Sequence, residues 1–303
     1  MSIINTGSFA KALWPGVNAW YGKSYNDYPV EYTDLFDTYK SSKAFEEDVG
    51  ISSFGLAVQK PEGAPISYDS ERQGFITRYQ HVVFALGFII TREVMEDDQY
   101  DVVGQRKANA LARSIRQTKE IFGANVYNRA FAGSTQLGGD GVTMINASHP
   151  NIAGGTWSNV IGTAADLSEA AIEQACIDIA GFTDDRGLLI AARPECLVIP
   201  RQLIFEAKRI LFSDGRVATD NNDLNALKTM GSIPKIITNH YLTDTDAWFI
   251  RTNVGDGLKY FERRADSFDM DNDFDTDNAK FKAMSRYSFG WTDPRAIYGS
   301  PGA

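Results

Sequence analysis

The sequence predicts an α+β fold. Three observations lead there. Strand-like segments flank a turn-rich tip over 51–90, a helical period runs from Thr91 to about Ala132, and short strands alternate with helices over 166–254. At 303 residues and 43% apolar content the chain can bury a sizeable core, and its length suits roughly two domains. Charged residues make up 23%, near the globular average, so bulk disorder is not expected.

Residues 1–50 are aromatic and turn-rich: Trp14-Pro15-Gly16, Trp20-Tyr21-Gly22 and Tyr25-Asn26-Asp27-Tyr28-Pro29 show no sustained period. An extended arm burying these rings on neighbouring subunits is expected, since Trp and Tyr favour interfaces; a loop folded onto its own core is the alternative. Residues 51–90 read as one long β-hairpin. Its first arm is Ile51–Gln59, its tip Lys60-Pro61-Glu62-Gly63-Ala64-Pro65, and its return arm runs from Ile66 through Gln73–Tyr79 to Ile90. Asp69-Ser70-Glu71-Arg72 is polar and Val82–Ile90 almost wholly apolar, so one end should be exposed and the other buried in a core. Lone two-stranded ribbons are marginal in water, so this one should rest on something else.

From Thr91 to about Ala132 a single helix of about 40 residues, about 60 Å long, is expected. Thr91 would cap it, and Glu93, Glu96, Asp97 and Asp98 suit the positive end of its dipole. Tyr100, Val103, Lys107 by its stem, Leu111, Ile115, Thr118 and Phe122 would face inward; Arg106, Lys107, Arg113, Arg116 and Lys119 would form the polar face. Residues 133–165 are glycine-rich loops without a phosphate-cradling motif. In 166–254, Asp166 and Glu169 have capping-box spacing ahead of a helix with Ile172, Cys176 and Ile179 inward. Leu188–Ala192 and Cys196–Ile199 read as buried strands, and Pro200 opens a helix over Arg201–Phe212. Ile233–Thr238 and Ala247–Thr252 read as strands, the latter pairing with Leu258–Arg263 through a glycine-bearing turn. Phe281–Trp291 alternates, with Phe281, Ala283, Ser285, Tyr287, Phe289 and Trp291 on one face.

Several function classes are excluded or disfavoured. No apolar run approaches the ~18–20 residues that span a membrane. The first residues, Met1-Ser2-Ile3-Ile4-Asn5, do not read as a secretory signal. A net charge of −9 repels phosphate backbones, which argues against sequence-reading of nucleic acid but not against a wall that encloses it. Cys176 and Cys196 lack metal or redox spacing and read as free thiols of a reducing compartment. His81, His149 and His240 form no zinc pattern; His81 reads as a hydrogen-bonded core or interface residue and His149 as fixing a turn. No nucleophile motif exists, so no catalytic, cofactor-binding or metal-binding residue is assigned and no cofactor is expected. Asp269, Asp271, Asp273, Asp275 and Asp277 recur at every second position. A calcium loop is disfavoured, because Phe274 and Lys280 stand where glycine and glutamate are required, although a looser calcium site stays open. A solvated acidic face on an edge strand is expected instead.

The order of parts resembles one family along essentially the whole chain. The segments that match are Lys43-Ala44-Phe45-Glu46-Glu47-Asp48, Glu62–Asp69 with Gln73-Gly74-Phe75, Gly87–Glu93, Ser148-His149-Pro150, Arg193–Pro200 with Leu203 and Ala207–Leu211, Tyr241–Phe249, and Tyr287–Arg295. They are similar to the major capsid proteins of tailed bacteriophages, with the Hong Kong 97-type shell fold. The resemblance implies an N-terminal arm over 1–50, a β-hairpin "E-loop" over 51–90 and a peripheral domain with a spine helix over 91–165. It also implies an axial domain over 166–264 and C-terminal strands over 265–303 returning to the peripheral domain. It implies a structural protein, not an enzyme, that forms hexamers and pentamers of an icosahedral shell around double-stranded DNA. The shell would be assembled in the host cytoplasm, with portal and scaffolding proteins and a possible decoration or cement protein as partners. Inter-subunit contacts would fall on Trp14, Trp20, Tyr25 and Tyr28 of the arm and on Lys60, Glu62, Asp69, Glu71, Arg72 and Arg78 of the ribbon. Gly50, Gly55, Gly74 and Gly87 would serve as hinges of shell expansion, or simply mark bulges. Some relatives cross-link a ribbon lysine to a neighbour's asparagine; Lys60 stands alone here, so a solvated surface lysine is expected. No long helical scaffolding region precedes the arm, which implies a separate scaffolding protein or none. The alternatives are an encapsulin-like bacterial compartment with a protein cargo and, further off, a soluble α+β enzyme.

Overall fold

Two four-stranded sheets share one strand-rich centre. The structure, a computed structural model, describes residues 10–91, 93–94, 100–133, 136–216, 223–273 and 278–303, without the side chains of 10–16, 100–102 and 272. The first sheet has the order β1 (Asp37–Lys40), β10 (Leu258–Asn272), β11 (Ala279–Trp291), β4 (Val82–Ile90), with β1 parallel to β10 and the rest antiparallel. The expected alternation of β11 holds: Phe281, Ala283, Ser285, Tyr287, Phe289 and Trp291 are buried while Lys280 and Lys282 are exposed. That face packs under the long helix α3 (Tyr100–Asn128) through Leu111, Ile115, Phe122 and Tyr127.

The helix ends at Asn128, short of Ala132, and its acidic start at Glu96, Asp97 and Asp98 lies outside the described residues. Its polar face is also corrected. Arg116, Lys119 and Glu120 are buried, because helix α1 (Ala10–Asp27) and the segment after it cover them. Lys107, expected to turn its stem inward while lying on the polar face, is exposed and donates to the carbonyl of Ile89 at 3.2 Å.

The second sheet has the order β12 (Ile297–Ser300), β9 (Trp248–Thr252), β7 (Pro194–Pro200), β8 (Lys235–Asn239). Strand β7 is buried on both faces. Cys196 and Val198 join the core shared with α3 and the first sheet, while Leu197 and Ile199 join a core under three helices. Those helices are α4 (Glu169–Ala180), α5 (Ile204–Phe212, after a 3-10 turn at Arg201–Leu203) and α6 (Ala226–Met230).

Four sequence expectations fail locally. Leu258 does not pair with β9; it opens β10, and β9 pairs with β7 and β12. The C-terminal strands divide, with β11 in the first sheet and β12 in the second. Leu188–Ala192 makes only a single bridge, Thr183 to Leu189, and Leu189 is exposed. The cap of α4 is Ser168, whose hydroxyl accepts from the Ala171 amide at 3.2 Å, whereas Asp166 accepts from Ala303.

The loops between the sheets are fixed by one buried amide. Asn159 donates to the carbonyls of Met144, Pro294 and Ile297 and accepts from the Asn146 amide at 2.8 Å. His149 lies fully buried, 2.6 Å from Asp140 and stacked on Trp157, so it does fix a turn. His81 is buried between the hydroxyls of Ser288 and Ser41 at 3.0 and 3.1 Å. Both cysteines are free, and burial pushes each thiol up to about 11, as inert structural thiols require.

Candidate assembly surface

The ribbon that leaves the body is built from β2 (Phe45–Ile51) and β3 (Gln73–Gln80), antiparallel, with Phe45 opposite Gln80 and Ile51 opposite Gln73. The hairpin expected over 51–90 is thus corrected at both ends. Its paired arms start earlier, 52–59 forms no strand, and β4 belongs to the first sheet instead. Pro61 and Pro65 remove donors within 52–72, and Ser52 to Arg72, at 3.0 Å, is the last backbone pair of the ladder. A register shift between Val49 and Ile51 marks a bulge at Gly50. Opposite it, a Cβ on Gly74 would stand 2.8 Å from the Gly50 carbonyl, so glycine there serves close approach of the two backbones.

Beyond the ladder the ribbon is apolar and uncovered. Ile51, Phe54, Leu56, Val58, Ile66 and Tyr68 are exposed, Leu56 at 78% and Tyr68 at 86%. A monomeric surface seldom gathers so many large apolar groups in one place. Lys60, Glu62, Glu71 and Arg72 are exposed among them. Arg78 lies over the ring of Phe45 at 3.7 Å and 3.5 Å from Glu47, on the outer face of the ladder. The apolar run of β4 is likewise only half covered: Phe84, Phe88 and Ile90 pack inward, while Val83, Leu86 and Ile89 are exposed, contrary to burial in a core.

Two attachments hold the ribbon to its own body. At the root, buried Lys259 bridges Asp48 of β2 at 2.7 Å and Asp256 at 2.8 Å, and Thr292 donates to the same Asp48 carboxylate. A cavity of about 400 Å³ opens here between Val49, Ile51 and Phe75 on one side and Asp256, Asp293 and Arg295 on the other. Farther out, Asp69 accepts from the Gly55 amide at 2.8 Å and from Arg186 at 2.5 Å; Arg186 also reaches the Ser70 carbonyl. These bonds hold the exposed Asp69 carboxyl below the usual carboxylate range. Arg186→Ala is expected to loosen 53–72 without unfolding the body. Limited proteolysis should then cut that segment several-fold faster at unchanged thermal midpoint, and unchanged cleavage would refute the tether.

The arm behaves differently. Instead of lying extended on neighbours, it forms α1, whose Val17, Tyr21 and Tyr25 recur one turn apart and pack on α3 and β10. Packing on the body overrides Pro15 and Gly16, the residues that pointed to irregular chain. Trp14 lies in α1, its side chain outside the described residues; Trp20 is half-buried against the same core. Tyr25 donates its hydroxyl to Asp266 and lies 3.9 Å from the Arg116 guanidinium. Tyr28 is half-buried, 5.8 Å from Arg113. The next segment is strapped down as well. The helical turn α2 (Tyr32–Leu35) places Tyr32, Leu35 and Phe36 in the core; Lys235 pairs with Asp34 at 2.6 Å and Arg251 with Asp37 at 3.2 Å. The three described aromatic candidates of the arm, Trp20, Tyr25 and Tyr28, therefore do not gather on an open face.

Glu120, buried on α3, receives the backbone amides of Glu31 and Tyr32 at 3.1 and 2.9 Å. Burial pushes its carboxyl up to about 7 despite these two donors. A raised carboxyl binds its proton more tightly in the folded state. Its contribution therefore favours folding at acid pH and is lost as pH rises from the unfolded value toward about 7. Glu120→Gln should flatten stability against pH over that window, by at most roughly 1.4 kcal/mol per pH unit; urea titrations at stepped pH would read it, and an unchanged slope would refute the assignment.

The sequence model of the phage capsid protein family matches residues 75–300, from the returning ribbon strand to the last strand of the second sheet. The chain belongs to the phage capsid protein family. Its fold is the Hong Kong 97-type fold, and it is a major capsid protein. Solved structures agree in architecture. The capsid of a native GTA particle superposes with a TM-score of 0.56 at 14% identity, covering 90% of both chains. A chain of Mycobacterium phage Adephagia gives 0.53 at 11% identity, covering 91% of both. A virus-like particle from Pyrococcus furiosus gives 0.53 at 8% identity, covering 94% of this chain and 97% of that one. No curated protein matches the sequence. Such a capsid protein has a structural role in the virion. No helix among the described residues is long and apolar enough to cross a membrane.

One feature of the capsid protein escaped sequence reasoning: Arg186, Lys259 and Asp48, which fix the ribbon, meet only through the fold. The acidic repeat, expected as an acidic face on an edge strand, is a charge ladder as far as it is described. Asp269 and Asp271 stand opposite Lys282 and Lys280, and Lys280 reaches Asp273 at 2.7 Å. Beyond Glu262 strand β10 pairs only with β11, so this stretch is an edge. Asp275 and Asp277 lie outside the described residues; among the described ones no acid–histidine–cysteine group suits a metal.

Proposed function

We propose that this capsid protein assembles into hexamers and pentamers of an icosahedral shell that encloses double-stranded DNA, without gripping base sequence. One observation carries the reading: the ribbon beyond Ile51 exposes Phe54, Leu56, Val58, Ile66 and Tyr68 while its root is pinned by Lys259. A rigidly anchored, apolar, polar-tipped ribbon is built to lie on another copy, with Lys60, Glu62, Glu71, Arg72 and Arg78 meeting polar groups there. In this reading the arm over 1–50 braces its own subunit, the α3 half (91–165) forms the peripheral domain and 166–264 the axial domain. The net charge of −9 suits a wall past which DNA must slide. Portal and scaffolding proteins, and a decoration or cement protein, are the partners such a shell takes. Assembly would proceed in the host cytoplasm. Electron microscopy of the purified, expressed chain tests the reading: closed shells are expected, and a discrete small species would overturn it. Particles from infected cells should hold double-stranded DNA; a protein cargo would favour the compartment alternative.

A further inference from the structure

The half of the molecule built on the second sheet carries two exposed faces that no described residue covers. The first is the outer side of α5. Ala207, Ile210 and Leu211 point into the core, whereas Phe205 and Phe212, seven residues apart, stand 74% and 48% exposed with Lys208 and Arg209 between them. The second is a groove of about 800 Å³ beside α4, lined by Trp157, Ile161, Ile177, Asp178, Phe182 and Tyr298. Ile177 is 65% exposed at its lip; Asp178 accepts from Tyr298 at 2.6 Å, and Glu173 lies one turn before Ile177.

The two faces lie toward opposite edges of the sheet. Helix α4 packs on the edge strand β12, while α5 and α6 form the crossover from β7 to the parallel edge strand β8. They are also unlike: the α5 face is apolar and basic, and the groove is apolar with carboxylates on α4. A twofold contact of α5 with itself would oppose Lys208 and Arg209 to their own copies. A contact of α5 with the groove joins opposite charges and buries both apolar sets. Unlike faces that meet head to tail repeat by rotation, and where that rotation closes they form a ring.

We propose that Phe205 and Phe212 of one copy seat in the groove beside Ile177 of the next copy, with Lys208 and Arg209 facing Glu173 and Asp178. This contact rests on the shell reading and adds to it the pair of surfaces that joins neighbours within one ring.

Full-length chain carrying Phe205→Cys and Ile177→Cys tests it, in a Cys176→Ala background because Cys176 adjoins the new thiol. Oxidised particles should give a non-reducing ladder of covalent multimers, and each single-cysteine variant should stay a monomer on the gel. Shells that form without a ladder overturn the contact and leave the shell reading standing; failure of the unsubstituted chain to form shells sinks the shell reading itself. Charge reversal at exposed Lys208 and Arg209, and at half-buried Glu173 outside the core, gives an independent measurement. Lys208→Glu with Arg209→Glu should lower assembled particles at least tenfold, and adding Glu173→Lys should recover most of that loss. Unimpaired assembly of the first variant, or no recovery in the second, overturns the contact.

Discussion

Lys119→Met is expected to destabilise the subunit by about 3–5 kcal/mol, the range for breaking a buried ion pair by removing one partner. Lys119 is 2% exposed, and its ammonium lies 2.5 Å from Asp266. It also faces the rings of Tyr32 and Tyr287 at 5.8 and 5.4 Å. Without it the Asp266 carboxylate, still bonded to the Tyr25 hydroxyl, is left buried without the ammonium that offsets its desolvation. The segment that depends on this charge is α1, so loss of Lys119 should release the arm before the sheets. Urea unfolding of the unassembled chain, followed by tryptophan fluorescence, measures the loss. Replacing both partners, Lys119→Met with Asp266→Leu, should recover most of it, because apolar groups of similar volume need no compensating charge. A loss below about 1 kcal/mol for the single variant would mean that water reaches the pair and that α1 is held by its apolar stripe alone.

Deleting residues 56–68 is expected to leave a folded subunit and to abolish stable shells. The cut spares the β2–β3 ladder, the Lys259 root and the Asp69–Arg186 tether, so nothing in the body loses a partner. It removes Leu56, Val58, Ile66 and Tyr68, which touch water in the lone chain and whose burial on another copy is worth about 1.5–3 kcal/mol for each aliphatic side chain fully covered. Summed over every copy in a shell, that loss exceeds what weak subunit contacts can replace. Circular dichroism and thermal unfolding should match the intact chain while sedimentation shows no large particles. Normal shells from the deleted chain would place the stabilising contacts elsewhere and retire the ribbon as the assembly element.

Where the sequence reading succeeded, one residue pattern decided one element. The alternation of β11 needed only its own side chains to be legible. It failed where a segment's neighbours decide. The almost wholly apolar β4 looks like a core strand, yet as an edge strand under α3 it has one covered face. Arg116 and Lys119 read as part of a polar helix face because nothing local announces that α1 will lie over them. The aromatic arm misled for the same reason. Its one-turn stripe of Val17, Tyr21 and Tyr25 was present, but Pro15, Gly16 and Gly22 masked it. The assembly surface was half legible: the ribbon tip was found from its turn residues, whereas the side chains that pin its root come from three distant parts of the chain.

The two-sided burial of β7 sets how the subunit can flex. With Val198 locked into one core and Leu197 into the other, bending the halves against each other would shear both hydrophobic interiors along a single strand. Each copy should therefore act as a stiff tile. The differing curvature that five-membered and six-membered rings demand must then be absorbed in the grout between tiles, along the unpaired stretch of ribbon beyond its pinned root.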